Sequence, residues 1–117
     1  MEDKKYLIEE RTFDFALQII ALYQKLIDQK EYVLSKQLLK AGTSIGANVA
    51  EAGAAQSKRD FIAKMAISSK EARETKYWLR LYEKSDLVDI DMTKELKEIQ
   101  NIINIITKIV KTSQGNL

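Results

Sequence analysis

The chain has 117 residues, 45% hydrophobic and 31% charged, with no histidine, cysteine or proline and a formal net charge of +2. Such a make-up suits one globular domain and excludes disulfides, thiolate metal sites, and the Ser-His-Asp and Cys-His constellations. No run approaches the ~18 apolar residues of a membrane span. The charged start Met1-Glu2-Asp3-Lys4-Lys5 leads into no signal-like apolar stretch. A cytoplasmic location, without membrane contact, is the expectation.

With few helix breakers, the chain divides into four predicted helices, about 12–29, 35–55, 57–84 and 91–112. Thr12 is the expected N-cap of the first, with Asp14 in its first turn. Phe13, Ala16, Leu17, Ile20, Tyr23 and Ile27 form one apolar face, and Phe15, Ile19, Leu22 and Leu26 stand beside it. The polar line left over is too narrow for the outside of a monomeric bundle. Self-association is the simplest cover.

Ser35 is the expected N-cap of the second helix, flanked by Leu34 and Leu39 as a hydrophobic staple. Leu38, Ala41, Ile45, Val49 and Ala52 make its apolar face. Gly42, Gly46, Ala50 and Gly53 form a stripe of small residues. Interior glycine costs ~1 kcal/mol relative to alanine, which points to close approach of another backbone, or else to a ligand lying on bare backbone. Ser57 with Asp60 has the form of a capping box for the third helix. Its seam is Phe61, Met65, Ser68, Ala72, Thr75, Leu79 and Tyr82, whose small members suit the small stripe of the second helix. Asp91 caps the fourth, in which Met92, Leu96, Ile99, Ile103, Ile106 and Val110 repeat at heptad positions, with Ile102, Ile105 and Ile109 alongside. Gly115 ends a short polar tail.

Four helices with short links predict an all-α fold, a single-domain up-and-down antiparallel left-handed four-helix bundle. No catalytic or metal residues and no cofactor are expected, and the protein is read as a non-enzyme. Gly42-Thr43-Ser44-Ile45-Gly46 lacks the spacing and lysine of a phosphate loop. Glu71 and Glu74, one turn apart beside Lys70, Arg73 and Lys76, fit ordinary ion pairing better than acid–base chemistry.

Charge is unevenly spread: −2 over residues 1–34, +5 over 35–84 and −1 over 85–117. Within the basic segment Arg73, Lys76, Arg80 and Lys84 share a face of the third helix, with Lys70 one turn before. Lys36, Lys40, Lys58 and Arg59 add to them. Such arrays bind phosphate backbones. They also simply keep helices soluble, and Glu71, Glu74 and Glu83 are interleaved.

Ser44-Ile45-Gly46-Ala47-Asn48-Val49-Ala50-Glu51, followed by Ser57-Lys58-Arg59-Asp60-Phe61, resembles the signature of the bacterial four-helix-bundle protein family. That family includes proteins encoded by intervening sequences in large-subunit ribosomal RNA genes and the accessory variability determinant of diversity-generating retroelements. Residues 32–38 and 63–79 fit as well, so the likeness covers nearly the whole chain. The resemblance implies a cytoplasmic protomer that assembles into a ring-like homopentamer. In the accessory branch it implies a basic surface that binds RNA or DNA and a reverse transcriptase. The chain departs from many relatives with Ala52 in place of glycine and a less basic turn at Ala54-Ala55-Gln56. Asn48 and Glu51 are expected to be satisfied within or between protomers. The expected function is a non-catalytic oligomeric binding module; the alternative is a structural or regulatory protein–protein assembly that holds no nucleic acid.

Overall fold

The computed structural model describes residues 2–115, with side chains from residue 7 onward. Its elements are α1 (Glu2–Asp28), α2 (Leu34–Gly53), α3 (Lys58–Lys84) and α4 (Thr93–Gly115). α2 packs on α1 and α3, and α4 packs on α3 and α1, so the helices ring a common core. Lys76 bonds Gln100 while Arg73 bonds Thr107, so residue numbers rise on α4 as they fall on α3. The same reversal relates Ser68 to Ile45 and Lys64 to Glu51 across α2 and α3. The expected up-and-down bundle is what forms.

α1 begins ten residues earlier than the sequence suggested, and Thr12 is not its cap. Thr12 is fully buried in mid-helix, and its hydroxyl donates back to the Ile8 carbonyl at 2.7 Å. A threonine that satisfies itself on the preceding turn can stay inside a helix. Residues 4–11 are rich in Lys, Glu, Leu and Arg, which continue the helix readily. Arg11 then pins α1 to α4: its Nε donates to Glu98 Oε2 at 2.7 Å and its Nη2 to Oε1 at 3.0 Å. The Glu98 carboxyl is held below its ordinary range, chiefly by the hydrogen bond from Arg11, with burial opposing.

The buried face of α1 is Phe15, Ile19, Leu22 and Leu26, the stripe that stood second in the sequence, extended by Ile8 in the added turns. Phe13, Leu17 and Ile20 stay 63%, 52% and 42% exposed. α2 buries Leu38, Ala41, Ile45, Val49 and Ala52 as expected, and α3 buries Met65, Ser68, Ala72, Thr75, Leu79 and Tyr82. In α4 Ile99, Ile102, Ile103 and Ile106 are buried, whereas Leu96 and Val110 are only half-buried. The helix also runs on through residues 113–115, where a polar tail was expected.

The small stripe of α2 faces α1 rather than the small residues of α3. A Cβ on Gly42 would lie 2.8 Å from Ile19 Cγ1, and one on Gly46 would lie 3.2 Å from the Thr12 carbonyl oxygen. Ala50 and Gly53 are exposed. α3 approaches α2 elsewhere, through the Ser68 hydroxyl, which donates to the Ile45 carbonyl at 2.8 Å.

Three caps follow from side-chain chemistry. Ser57 accepts from the Asp60 amide at 3.1 Å, and Asp91 accepts from the amide and hydroxyl of Thr93 at 2.9 and 2.6 Å, both as expected. At α2 the expectation fails. Ser35 lies inside the helix, fully buried, and the N-cap position belongs to Val33. The missing acceptor is supplied by Glu31. Its Oε1 takes the amides of Val33 and Leu34 at 3.2 and 3.1 Å, and its Oε2 takes that of Ser35 at 2.7 Å. Tyr82 of α3 donates its hydroxyl to the same Oε2 at 2.6 Å. Burial opposes ionisation of Glu31, but these four donors outweigh it and hold the carboxyl below its ordinary range. Burial, then the carboxylate, push Tyr82 upward. Lys30 makes the turn possible by adopting φ 65°, the left-handed conformation that ends α1, with Glu31 N donating to the Leu26 carbonyl at 2.9 Å.

Glu31→Ala leaves three helix-end amides and a buried hydroxyl without their acceptor. Chemical denaturation should show a loss of about 2–4 kcal/mol. Because the folded carboxyl titrates below its unfolded value, its contribution is full above the ordinary glutamate range and lost as pH falls through the lower folded value. Wild-type stability should therefore fall below about pH 4, with a shallower fall in Glu31→Gln; part of the slope persists because Glu98 titrates in the same sense. Gly46→Leu forces a branched side chain against the α1 backbone and should cost about 1–3 kcal/mol, read as a lower melting temperature.

Candidate nucleic-acid interface

The basic stripe of α3 is split by the fold. Arg73 and Lys76 lean towards α4: Arg73 Nη2 donates to Thr107 Oγ1 at 3.2 Å, and Lys76 Nζ donates to Gln100 Oε1 at 2.6 Å. Gln100 in turn donates to Asn104 at 2.9 Å. Because α3 reaches α2 through Lys64 and Ser68, the Arg73–Lys76 edge is the one turned away from α2. Arg80, two turns beyond Arg73 and on the same face, is exposed, as are Lys70 and Lys84, and Lys84 Nζ approaches Glu83 at 3.9 Å. Lys58 and Arg59 open α3 and are exposed.

Lys36 and Lys40 are exposed on α2. On a helix of 3.6 residues per turn they stand opposite Leu38 and Ile45, which face the core. They do not join the α3 stripe.

Two cations missing from the sequence reading take their place. Lys108 and Lys111, one turn apart on α4, line a groove with Arg73, Asn104, Thr107 and Gln100. The groove is open to solvent and has a volume of ≈ 440 Å³. Both lysines lie at the end of the apolar repeat, in a segment whose net charge is negative, so composition gave no reason to single them out. Their significance is tertiary: α4 runs antiparallel to α3 and sets them alongside Arg73.

The residues of the family signature do structural work. Ile45 is buried, Gly42 and Gly46 admit α1, and Ala47 and Ala50 are exposed. Ser44 donates to the Lys40 carbonyl at 2.6 Å, and Asn48 Nδ2 donates to the Ser44 carbonyl at 2.8 Å. Glu51 pairs with Lys64 at 3.1 Å. Asn48 and Glu51 are thus satisfied within the protomer. The ion pairing expected of Glu71 and Glu74 does not form among the described residues. Arg73 and Lys76 turn to α4 instead, and Glu74 accepts the indole N–H of Trp78 at 3.2 Å. Among the described residues no cluster of acidic side chains is placed to hold a metal ion, and no helix is long and apolar enough to cross a membrane.

Fold and surface together define a four-helix-bundle protein with a basic cleft on one side. The chain belongs to the 23S rRNA-intervening sequence protein family, whose model matches residues 4–111. It is similar to a protein of unknown function from the S23 ribosomal protein family of Bacteroides thetaiotaomicron VPI-5482, seen in a crystal structure at 1.70 Å resolution. The two are 40% identical, with a TM-score of 0.87, over 92% of this chain and 98% of that one. Among the curated proteins, none matches.

Proposed function

We propose that the protein is a non-catalytic, self-associating scaffold of the cytoplasm, in which identical protomers form a ring that carries nucleic acid or a ribonucleoprotein. The observation that carries the assembly is a pair of unlike apolar stripes on diagonal helices. On α1, Phe13, Leu17 and Ile20 are exposed, with Glu10 and Asp14 one turn from Phe13 and Leu17. On α3, Ile67, Tyr77 and Leu81 are 42%, 58% and 36% exposed, with Lys70, Arg80 and Lys84 one turn from each in the same order. An apolar stripe framed by acids complements an apolar stripe framed by bases. Because the two stripes differ and lie on α1 and α3, such contacts run head to tail, the arrangement that closes into rings. A homopentamer is the ring that the family resemblance implies.

For the cargo, the middle segment's +5 charge favours a polyanion. The family description ties its members to sequences within 23S rRNA, which favours RNA over DNA. A reverse transcriptase or other RNA-bound protein would be a partner of the same kind. A second reading is favoured by Lys70, Arg80 and Lys84 themselves: as the frame of the α3 stripe, they serve protein contacts. On that reading the assembly is structural or regulatory and holds no nucleic acid.

Light scattering at micromolar concentration should return five times the 13.4 kDa chain mass, and a wild-type monomer would overturn the assembly. Phe13→Glu with Leu17→Glu places two carboxylates in the apolar face and should give the monomer with helicity retained.

A further inference from the structure

We infer that the groove between α3 and α4 is a track for the phosphates of a single nucleic-acid strand, with Arg73 on one wall, Lys108 and Lys111 on the other, and Lys76 held beside it through Gln100. The inference rests on the nucleic-acid reading above and deepens it. It moves the contact off the α2 lysines and onto a helix outside the basic middle segment.

The chemistry of the lining points to an anion. Among the described residues no carboxylate lines the groove; besides the cations it presents the amides of Gln100 and Asn104 and the hydroxyls of Thr107 and Thr112. The oxygens that hold Lys76 and Arg73 are neutral, so their charges are not cancelled. Each uses one donor on α4, leaving two N–H on the lysine and four on the arginine. Among the described residues none of the four cations is in an ion pair. Side chains already held in place lose less freedom when a ligand arrives.

The shape points to a chain of anions rather than one. From Gln100 to Lys111 the α4 wall runs about 16 Å at 1.5 Å per residue, and a polar or basic group recurs at every turn. Ile103, 4% exposed, lies on the floor, and the groove is open to solvent rather than closed over. Such a track holds a backbone and leaves bases outside, which predicts little sequence preference. The neighbouring groove between α1 and α4 shows the contrast. There apolar side chains dominate, and Glu10 and Asp14 offset Arg11 and Lys108, so that lining has no net positive charge to draw a phosphate.

The test uses fluorescence anisotropy with a labelled single-stranded RNA of about twelve nucleotides, from ~50 to ~200 mM salt, where phosphate contacts respond steeply. Two variants carry the same charge change: Lys108→Glu with Lys111→Glu in the groove, and Lys36→Glu with Lys40→Glu on α2. All four lysines are exposed, and circular dichroism with light scattering checks fold and assembly. Lys108→Gln with Lys111→Gln replaces the groove pair if the charge reversal disturbs either. The groove variant should bind at least 10-fold more weakly, and its log–log salt slope should be shallower by about 1.4, two contacts at ~0.7 each for a single strand. The α2 variant should stay within about 3-fold of wild type, the loss expected from net charge alone. No binding by wild type at ~50 mM salt would overturn the nucleic-acid reading and this inference with it. Binding that both variants weaken equally, or only the α2 variant weakens, would overturn the groove and leave the reading standing. ATP that competes as well as the oligonucleotide, at matched ionic strength, would show a site for a single nucleotide and overturn the strand.

Discussion

Glu31 ends its side chain where three backbone amides and a tyrosine hydroxyl converge, and the relative placement of three helices follows from that meeting. The first amides of a helix have no partner within it and carry partial positive charge. A carboxylate from the preceding turn satisfies three of them at once, so α2 starts at a fixed distance from the end of α1. Tyr82 adds α3 to the same atom. Gln29 and Asp89 close the rest of this end by exchanging hydrogen bonds across the two links, at 3.0 and 2.8 Å. With α2 so placed, Gly42 and Gly46 come opposite Ile19 and Thr12, where a side chain would collide. The register set by a polar contact at one end is thereby checked by close packing in the middle.

Much of the bundle was legible because periodicity reports burial directly. The seams of α2 and α3 could be listed residue by residue, since each has one apolar stripe and a clear polar remainder. α1 was harder for the same physical reason. It has two adjacent apolar stripes, and nothing in a helix's own sequence says which one meets its neighbours. Phe15 and Ile19 are fully buried while Phe13 and Leu17 are exposed because Gly42 opens a slot in α2 that Ile19 fills. The choice was made on α2, some twenty residues away. Caps divide likewise: Ser57 and Asp91 act on their own next turn and could be read, but Glu31 reaches forward across a turn whose shape depends on Lys30 adopting φ 65°.

The basic surface was legible as charge but not as geometry. Lysine and arginine positions on one helix show which of them share a face, and Arg73 and Lys76 do. Whether that face looks into solvent or across to another helix is a property of the pair. α4 answers it with Gln100 and Thr107, which hold the two cations without neutralising them. Lys108 and Lys111 belong to a segment with net negative charge, and only the antiparallel pairing of α3 with α4 makes them part of a positive groove.

α3 is therefore asked to do two things, and its circumference separates them. Ile67, Tyr77 and Leu81 face outward, where a second protomer would cover them, while Arg73 and Lys76 face α4. An assembly built through the outward stripe leaves the groove uncovered in each protomer. That separation matters because one protomer has a net charge of only +2, with three cations lining its groove and Lys76 beside it. Such a site binds a strand weakly at physiological salt. In the proposed ring the same groove recurs with each subunit, and a strand long enough to reach two of them gains from the second as an intramolecular contact. Binding then favours the assembled state over free protomers by linkage. The apolar stripes and the basic groove, separate on the surface of one chain, become coupled only when copies of it associate.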